Sequence, residues 1–280
     1  MTIRQILAAR TLVQFLILIF SISVKAQNMA IVRDIDFVPS IQYDNNKDKL
    51  DIYAPKEARK APVLLFYHGG GLVEGDKNEM EFAAGRFVSE GIVVVFANYR
   101  LSPGVTHPAH MEDAAQAFAW VKENISEYGG NPNKVFISGH SAGGYLAVLL
   151  GMDDRYMTPY NFQLKDVSGV IGVSPYLYVE ETARVRDKSI WGTDTTVWKS
   201  ASVSPYISNK KPPMLLLYAD GDDDWRKRHN ETLAKALRKE GNSNVQVYEV
   251  TNRDHGSLWG KINEKGDRVS TLMVSFITKK

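Results

Sequence analysis

Val135-Phe136-Ile137-Ser138-Gly139-His140-Ser141-Ala142-Gly143-Gly144 is the run that decides the fold. Its first four residues form a short β-favouring stretch, and the mostly apolar stretch 142–151 after it has the length of a helix. The turn between them is therefore a strand-to-helix corner. A serine on so sharp a corner is held in a strained backbone conformation, with its hydroxyl lifted clear of the sheet. The residues two before and two after it must lack Cβ atoms, which would collide across the corner. Gly139 and Gly143 meet that demand.

The same alternation of short apolar runs and longer amphipathic ones extends on both sides. Segments 62–67 (PVLLFY) and 92–97 (IVVVFA) are continuous β-branched and aromatic runs, the pattern of strands buried on both faces. Strands are also predicted at 49–53, 167–173, 214–219 and 245–250. Between them, 111–128 carries Ala114, Ala117, Phe118, Val121 and Ile125 at helical spacing, and Gly129-Gly130-Asn131-Pro132 stops it. A well-charged helix is predicted over 227–240. This βαβ rhythm predicts a mostly parallel sheet with helices on both faces, in one domain over 27–280. Segment 174–213 breaks it: forty residues without a strong period, holding Tyr176, Tyr178, Trp191, Trp198 and Tyr206. Its aromatic content argues for a folded cap over the sheet.

With 44% hydrophobic and 24% charged residues, the 280-residue chain has ample material for a packed core. Lys and Arg number 34 against 32 Asp and Glu, with no run of five like charges, so no footprint for nucleic acid is present. The absence of cysteine excludes disulfides, thiolate nucleophiles and Cys-ligated zinc, which leaves oxygen or nitrogen as the only nucleophilic atoms. Residues 1–26 read as a secretory leader, with Arg4 and Arg10 ahead of the apolar run 11–24 and Val24-Lys25-Ala26 before the expected cleavage site. The competing reading of these residues is an uncleaved anchor. Cleavage would remove three positive charges and no negative ones, taking the net charge from +2 to −1. The expectation is a secreted or periplasmic protein with no membrane attachment once the leader is gone. The oligomeric state is not legible.

Two further stretches carry chemistry. His68-Gly69-Gly70-Gly71 leaves the PVLLFY strand, and three glycines free its backbone to aim N–H groups at one point where negative charge develops. The N–H of Ala142, at a helix start, would complete such an oxyanion hole with those of Gly70 and Gly71. A serine hydroxyl attacks only when a base takes its proton and a third group orients that base. Of the six histidines, His255 follows the 245–250 strand by a short polar loop, at the sheet edge where α/β folds build their sites. The orienting carboxylate is expected in Asp220-Gly221-Asp222-Asp223-Asp224, after the 214–219 strand. Asp222 is the first choice, with Asp223 and Asp224 left open. Asp220, Asp222, Asp224 and Glu231 also fall at positions 1, 3, 5 and 12 of a calcium loop, but Trp225 stands where that loop needs glycine. No metal site is expected.

HGGGLVEG from His68 to Gly75, Asn98-Tyr99-Arg100-Leu101-Ser102-Pro103, His107-Pro108-Ala109, Gly129-Gly130-Asn131-Pro132 and GHSAGG together resemble the esterase and lipase branch of the α/β-hydrolase superfamily. The likeness is to hormone-sensitive-lipase-like esterases, and still more to secreted feruloyl and acetyl-xylan esterases and the related arylformamidases, over about residues 35–280. It implies an α/β-hydrolase fold, Ser141 as nucleophile with Asp222 and His255 as its relay, and Gly70, Gly71 and Ala142 as oxyanion donors. It also implies a cofactor-free serine carboxylesterase acting on small-molecule or oligosaccharide esters, short-acyl, acetyl or feruloyl. The alternatives are an arylformamidase-like amidohydrolase and a non-catalytic binding module. Leu72 stands where relatives often carry a bulky aromatic, and Ala219 where they often carry glycine. Leu72, His140, Trp191 and Trp198 are the candidate substrate-pocket residues, with cap core as the competing reading for the two tryptophans, and Arg100 is expected to pair with Asp113 beneath the site.

Overall fold

The computed structural model describes residues 29–38, 43, 46–186 and 188–279. The leader expected over 1–26 lies outside the described residues. Among the described residues, eight strands are formed: β1 (Met29–Asp36), β2 (Lys49–Pro55), β3 (Ala61–Tyr67), β4 (Val93–Ala97), β5 (Gly130–His140), β6 (Gly169–Val173), β7 (Met214–Ala219) and β8 (Val245–Val250). They make one sheet in the order β1-β2-β4-β3-β5-β6-β7-β8. β1 and β2 run antiparallel at one side, and every pairing from β4 to β8 is parallel.

The continuous apolar runs are explained by a core on each face. In β3, Val63, Leu65 and Tyr67 enter one core while Leu64 and Phe66 enter the other. Val93, Val95 and Ala97 of β4 separate from Val94 and Phe96 in the same way. The strand period of two therefore leaves no residue for solvent. The longer helices are α1 (Ala109–Asn124), α2 (Ala142–Leu150), α3 (Asp224–Lys239) and α4 (Arg268–Thr278). Residues of α1, α2 and α3 fill the first core; Val269, Met273, Phe276 and Ile277 of α4 fill the second, with the short helix Ala84–Val88.

Segment 174–213 folds into short helices, among them Val179–Thr182, Lys188–Trp191 and Thr195–Ser200. It is tied to the body of the domain by the Tyr145 hydroxyl donating to the Ala201 carbonyl at 2.9 Å and the His107 N–H donating to the Ile190 carbonyl at 2.8 Å. Among the described residues, no helix is long and apolar enough to cross a membrane.

The expected Arg100–Asp113 pair is present. Arg100 Nε donates to Asp113 at 2.8 Å and Nη2 at 2.6 Å, and the Arg100 backbone N–H adds a third bond at 2.8 Å. Asp113 is fully buried while Arg100 is partly exposed, so removing the carboxylate charge leaves a half-solvated cation beside an amide. Asp113→Asn is expected to cost on the order of 2–3 kcal/mol, below the 3–5 kcal/mol of a fully buried pair. Urea denaturation checks this, and an unchanged midpoint would deny the pair its stabilising role.

Candidate active site

The strand-to-helix corner has the geometry the sequence demands. Ser141 sits at φ 54° and ψ −113°, between β5 and the first residue of α2. A Cβ on Gly139 would lie 2.2 Å from the Gly143 carbonyl carbon, so the two glycines are in contact across the corner. The Ser141 N–H donates to the Val173 carbonyl at 2.8 Å, which pins the corner to β6.

Three parallel strands bring the rest of the cluster to the same sheet edge. Asp222 lies three residues beyond β7 and His255 five beyond β8. His255 Nε2 is 2.9 Å from Ser141 Oγ, and His255 Nδ1 is 2.9 Å from Asp222 Oδ1. Asp222 is buried, and its Oδ2 accepts from the Ser174 hydroxyl at 2.6 Å and the Ala219 N–H at 2.8 Å. Burial pushes its carboxyl up, but the bonds from His255, Ser174 and Ala219 together outweigh this and hold it below the usual carboxylate range.

Its neighbours are committed elsewhere. Asp224 is exposed and pairs with Lys227 at 3.4 Å, and Asp223 precedes α3. Asp220 accepts from the N–H groups of Asn252 and Arg253 at 2.9 and 3.0 Å, clamping the loop that presents His255. Among the described residues no metal-binding cluster is found.

Beside Ser141, the glycine loop turns tightly, with the Gly70 carbonyl accepting from Val73 and Glu74, both at 3.1 Å. Gly70 has φ +98°, and a Cβ there would stand 2.1 Å from the Glu74 carbonyl oxygen. Tyr99 supports the loop from below. Its ring stacks on His68 at 4.3 Å, and its hydroxyl donates to the carbonyls of His68 and Gly69 at 2.9 and 3.2 Å. The Asn98–Pro103 motif thus has a structural role, through Tyr99 under the loop and through the Arg100 pair.

The substrate-pocket expectations need correction. Leu72 is 1% exposed, Trp191 2% and Trp198 8%, all within the first core. Trp191 stands edge-on to Tyr145 and Tyr176, and Trp198 Nε1 donates to the Gly192 carbonyl at 3.2 Å. A cap made of short helices has few other groups large enough to fill its interior, so both indoles are spent there rather than offered to a sugar or an aryl ring. His140 Nε2 contacts the His255 carbonyl at 2.8 Å, which ties the corner to the loop carrying His255. The same ring borders a cavity of about 490 Å³ with Gly69, Gly70, Glu74 and Glu79.

Ser174 was not among the sequence candidates, although its place directly after β6, ahead of Pro175, was a usable signal. Arg226 was missed as well. Its Nη1 donates to the Ser174 carbonyl at 2.8 Å, and its Nε lies 3.5 Å from Asp222 Oδ1.

Residues 50–237, well over half of the chain, match the family described as BD-FAE. The chain belongs to the BD-FAE family. Among curated relatives, Esterase LipQ of Mycobacterium tuberculosis is 31% identical over 214 residues, covering 70% of this chain and 50% of LipQ. Esterase LipC of the same organism is 26% identical over 232 residues, covering 76% and 58%. The chain therefore spans about half the length of these relatives. In fold, it is similar to Esterase B of Lactobacillus rhamnosis, with TM-score 0.73 and 17% identity over 98% of this chain and 96% of that one. A truncated carbohydrate esterase from gut microbiota aligns with TM-score 0.72 and 17% identity over 89% and 95%. The α/β-hydrolase fold expected from the sequence is the fold observed.

Five of the six histidines share one electrostatic condition. Burial pushes His68, His107 and His229 down to about 4, and His110 and His140 to about 3. Unfolding restores ordinary imidazoles near 6.5, so below that pH the unfolded chain binds more protons and stability falls with acid. Above pH 6.5 these groups are neutral in both states and contribute no slope. The melting temperature is expected to be flat from pH 8 to 7 and to fall steeply from pH 6.5 towards 4, more steeply than one titrating group allows. Thermal scans across that range check it.

Proposed function

We propose that this chain is a serine carboxylesterase hydrolysing short-acyl or carbohydrate-linked esters through an acyl-enzyme. The observation that carries the reading is the hydrogen-bonded series Ser141 Oγ, His255 imidazole and Asp222 carboxylate beside a glycine-rich turn. The names of the curated relatives and the BD-FAE match support ester hydrolysis. That one solved structure of the same fold is called a carbohydrate esterase supports the substrate class. The leader-like residues 1–26 support an exported enzyme meeting its esters outside the cytoplasm.

Ser141 Oγ attacks the ester carbonyl carbon as its proton passes to His255 Nε2, giving a tetrahedral oxyanion and an imidazolium. The N–H groups of Gly70, Gly71 and Ala142 receive the oxyanion. The carbon–oxygen bond to the alcohol then breaks, and the alkoxide leaves with the proton from Nε2. Water enters, gives a proton to the same nitrogen and attacks the acyl carbon. Collapse of the second oxyanion releases the acid and returns the proton to Ser141. Asp222 stays ionised throughout and stabilises the imidazolium.

The test is a parallel assay of residues 27–280 and the Ser141→Ala variant. It uses p-nitrophenyl acetate, butyrate and octanoate, methyl ferulate, acetylated xylo-oligosaccharides and N-formylkynurenine, with fluorophosphonate labelling alongside. Ser141-dependent cleavage of the short or sugar-linked esters is the expected result. Silence of both proteins, with no label at Ser141, would favour the binding-module alternative.

A further inference from the structure

Ser174 occupies a place that the acyl-transfer mechanism leaves unexplained. It is fully buried, directly follows β6, and holds φ +50°, a left-handed conformation uncommon for a residue with a side chain. Its backbone is fastened on both sides, the N–H donating to the Leu217 carbonyl at 2.6 Å and the carbonyl accepting from Arg226 Nη1 at 2.8 Å. The hydroxyl is thereby fixed between two partners, 2.6 Å from Asp222 Oδ2 and 2.9 Å from His255 Nδ1.

Proton counting fixes the direction of these bonds. An ionised carboxylate only accepts, so the single Ser174 proton goes to Asp222 Oδ2. The Ser174 oxygen then has lone pairs alone to offer His255, and Nδ1 must be the protonated nitrogen. That N–H is shared between Asp222 Oδ1 and Ser174 Oγ, each 2.9 Å away. With Nδ1 protonated, Nε2 presents its lone pair to Ser141.

We propose that Ser174 is a positioning residue of the relay, whose hydroxyl fixes the His255 tautomer and ring plane while holding the Asp222 carboxylate in register. The inference rests on the Ser141–His255–Asp222 reading above. A single acceptor lets the imidazole pivot about one hydrogen bond, whereas two acceptors on different elements hold the ring against rotation as it gains its charge. The loss of one of the two donors on Oδ2 would also leave that oxygen held by the Ala219 N–H alone.

The φ of +50° supplies the deciding variant. Ser174→Gly relieves the backbone strain and removes the hydroxyl, while Ser174→Ala removes the hydroxyl and keeps the strain. On p-nitrophenyl butyrate, both variants are expected to lose about 10- to 100-fold in kcat with KM within about twofold. Ser174→Gly should melt within a few degrees of wild type, and Ser174→Ala should melt lower. The downfield Nδ1 proton resonance of His255 should shift and broaden in both, a signature that a merely structural serine would not move. A folded Ser174→Gly with wild-type kcat and an unmoved resonance would overturn the inference. Ser141→Ala is assayed beside them. If it retains full activity, the underlying relay reading fails; if it is silent and Ser174→Gly is not impaired, only the role of Ser174 fails.

Discussion

Ser141→Ala is expected to lower kcat/KM on short p-nitrophenyl esters by about 10⁵-fold, through kcat and with KM nearly unchanged. The hydroxyl is the only atom of Ser141 that the chemistry consumes, and a methyl in its place preserves the corner, whose N–H still reaches the Val173 carbonyl. Binding of the ester is therefore retained while the bond-making step is lost. Because Ser141 and His255 act as one unit, the double variant with His255→Ala should be no more than a few-fold worse than either single one. Steady-state kinetics on the three proteins decide it. Additive losses would mean that the two residues act independently, contrary to the 2.9 Å bond between them.

Gly143→Ala is expected to damage fold and site together. A Cβ at this position would lie 2.0 Å from the Tyr67 carbonyl oxygen and 2.5 Å from that of His68. Both obstacles are backbone, on the last residue of β3 and the first of the glycine loop, so no side chain can swing aside. Relief requires α2 to retreat from β3 by about 1 Å or more, which breaks core packing and moves Ser141 relative to the oxyanion donors. The expected outcome is a loss of about 4 kcal/mol or more of stability and at least 10²-fold in kcat/KM for whatever fraction folds. Gly85→Ala is the control. It lies in the helix Ala84–Val88 with open space where its Cβ would sit, and should gain about 0.5–1 kcal/mol. Melting curves of the two variants should move in opposite directions, and a Gly143→Ala protein as stable as wild type would contradict the contact.

Much of this geometry was legible because single residues carried it. The continuous apolar runs over 62–67 and 92–97 required burial on both faces, and both became inner strands of the sheet. The spacing of Gly139, Ser141 and Gly143 specified a corner, and the order Ser141, Asp222, His255 along the chain placed three groups at three strand ends. β1 was not legible, since its residues are mostly exposed and write no core pattern. Asp222 could be preferred to Asp223 and Asp224 but not isolated, because which carboxylate turns inward depends on how the 219–224 turn packs on the His255 loop. Ser174 was hard to see for a related reason: its partners are 48 and 81 residues away, and the only local mark is its place between β6 and Pro175. The sequence left the cap tryptophans between pocket and core because aromatic content identifies a folded segment without saying which side of the rings faces water; the structure places them in the core.

The contact of Gly143 with the end of β3 has a bearing on how this scaffold can be redesigned. The proposed nucleophile and the glycine loop proposed to receive the oxygen are separated by touching backbones, so their spacing is set by atomic radii rather than by any adjustable side chain. Mutation cannot widen that gap to suit a bulkier acyl group without loosening the corner itself. The freedom to alter substrate range is expected instead in segment 175–213, whose short helices pack on the first core and are tied to the body by bonds such as Tyr145 to Ala201 and His107 to Ile190. A library confined to exposed positions of 175–213 should diversify specificity while keeping the rate of the chemical step, and one aimed at 69–71, 139–143 or Ser174 should yield mostly inactive protein.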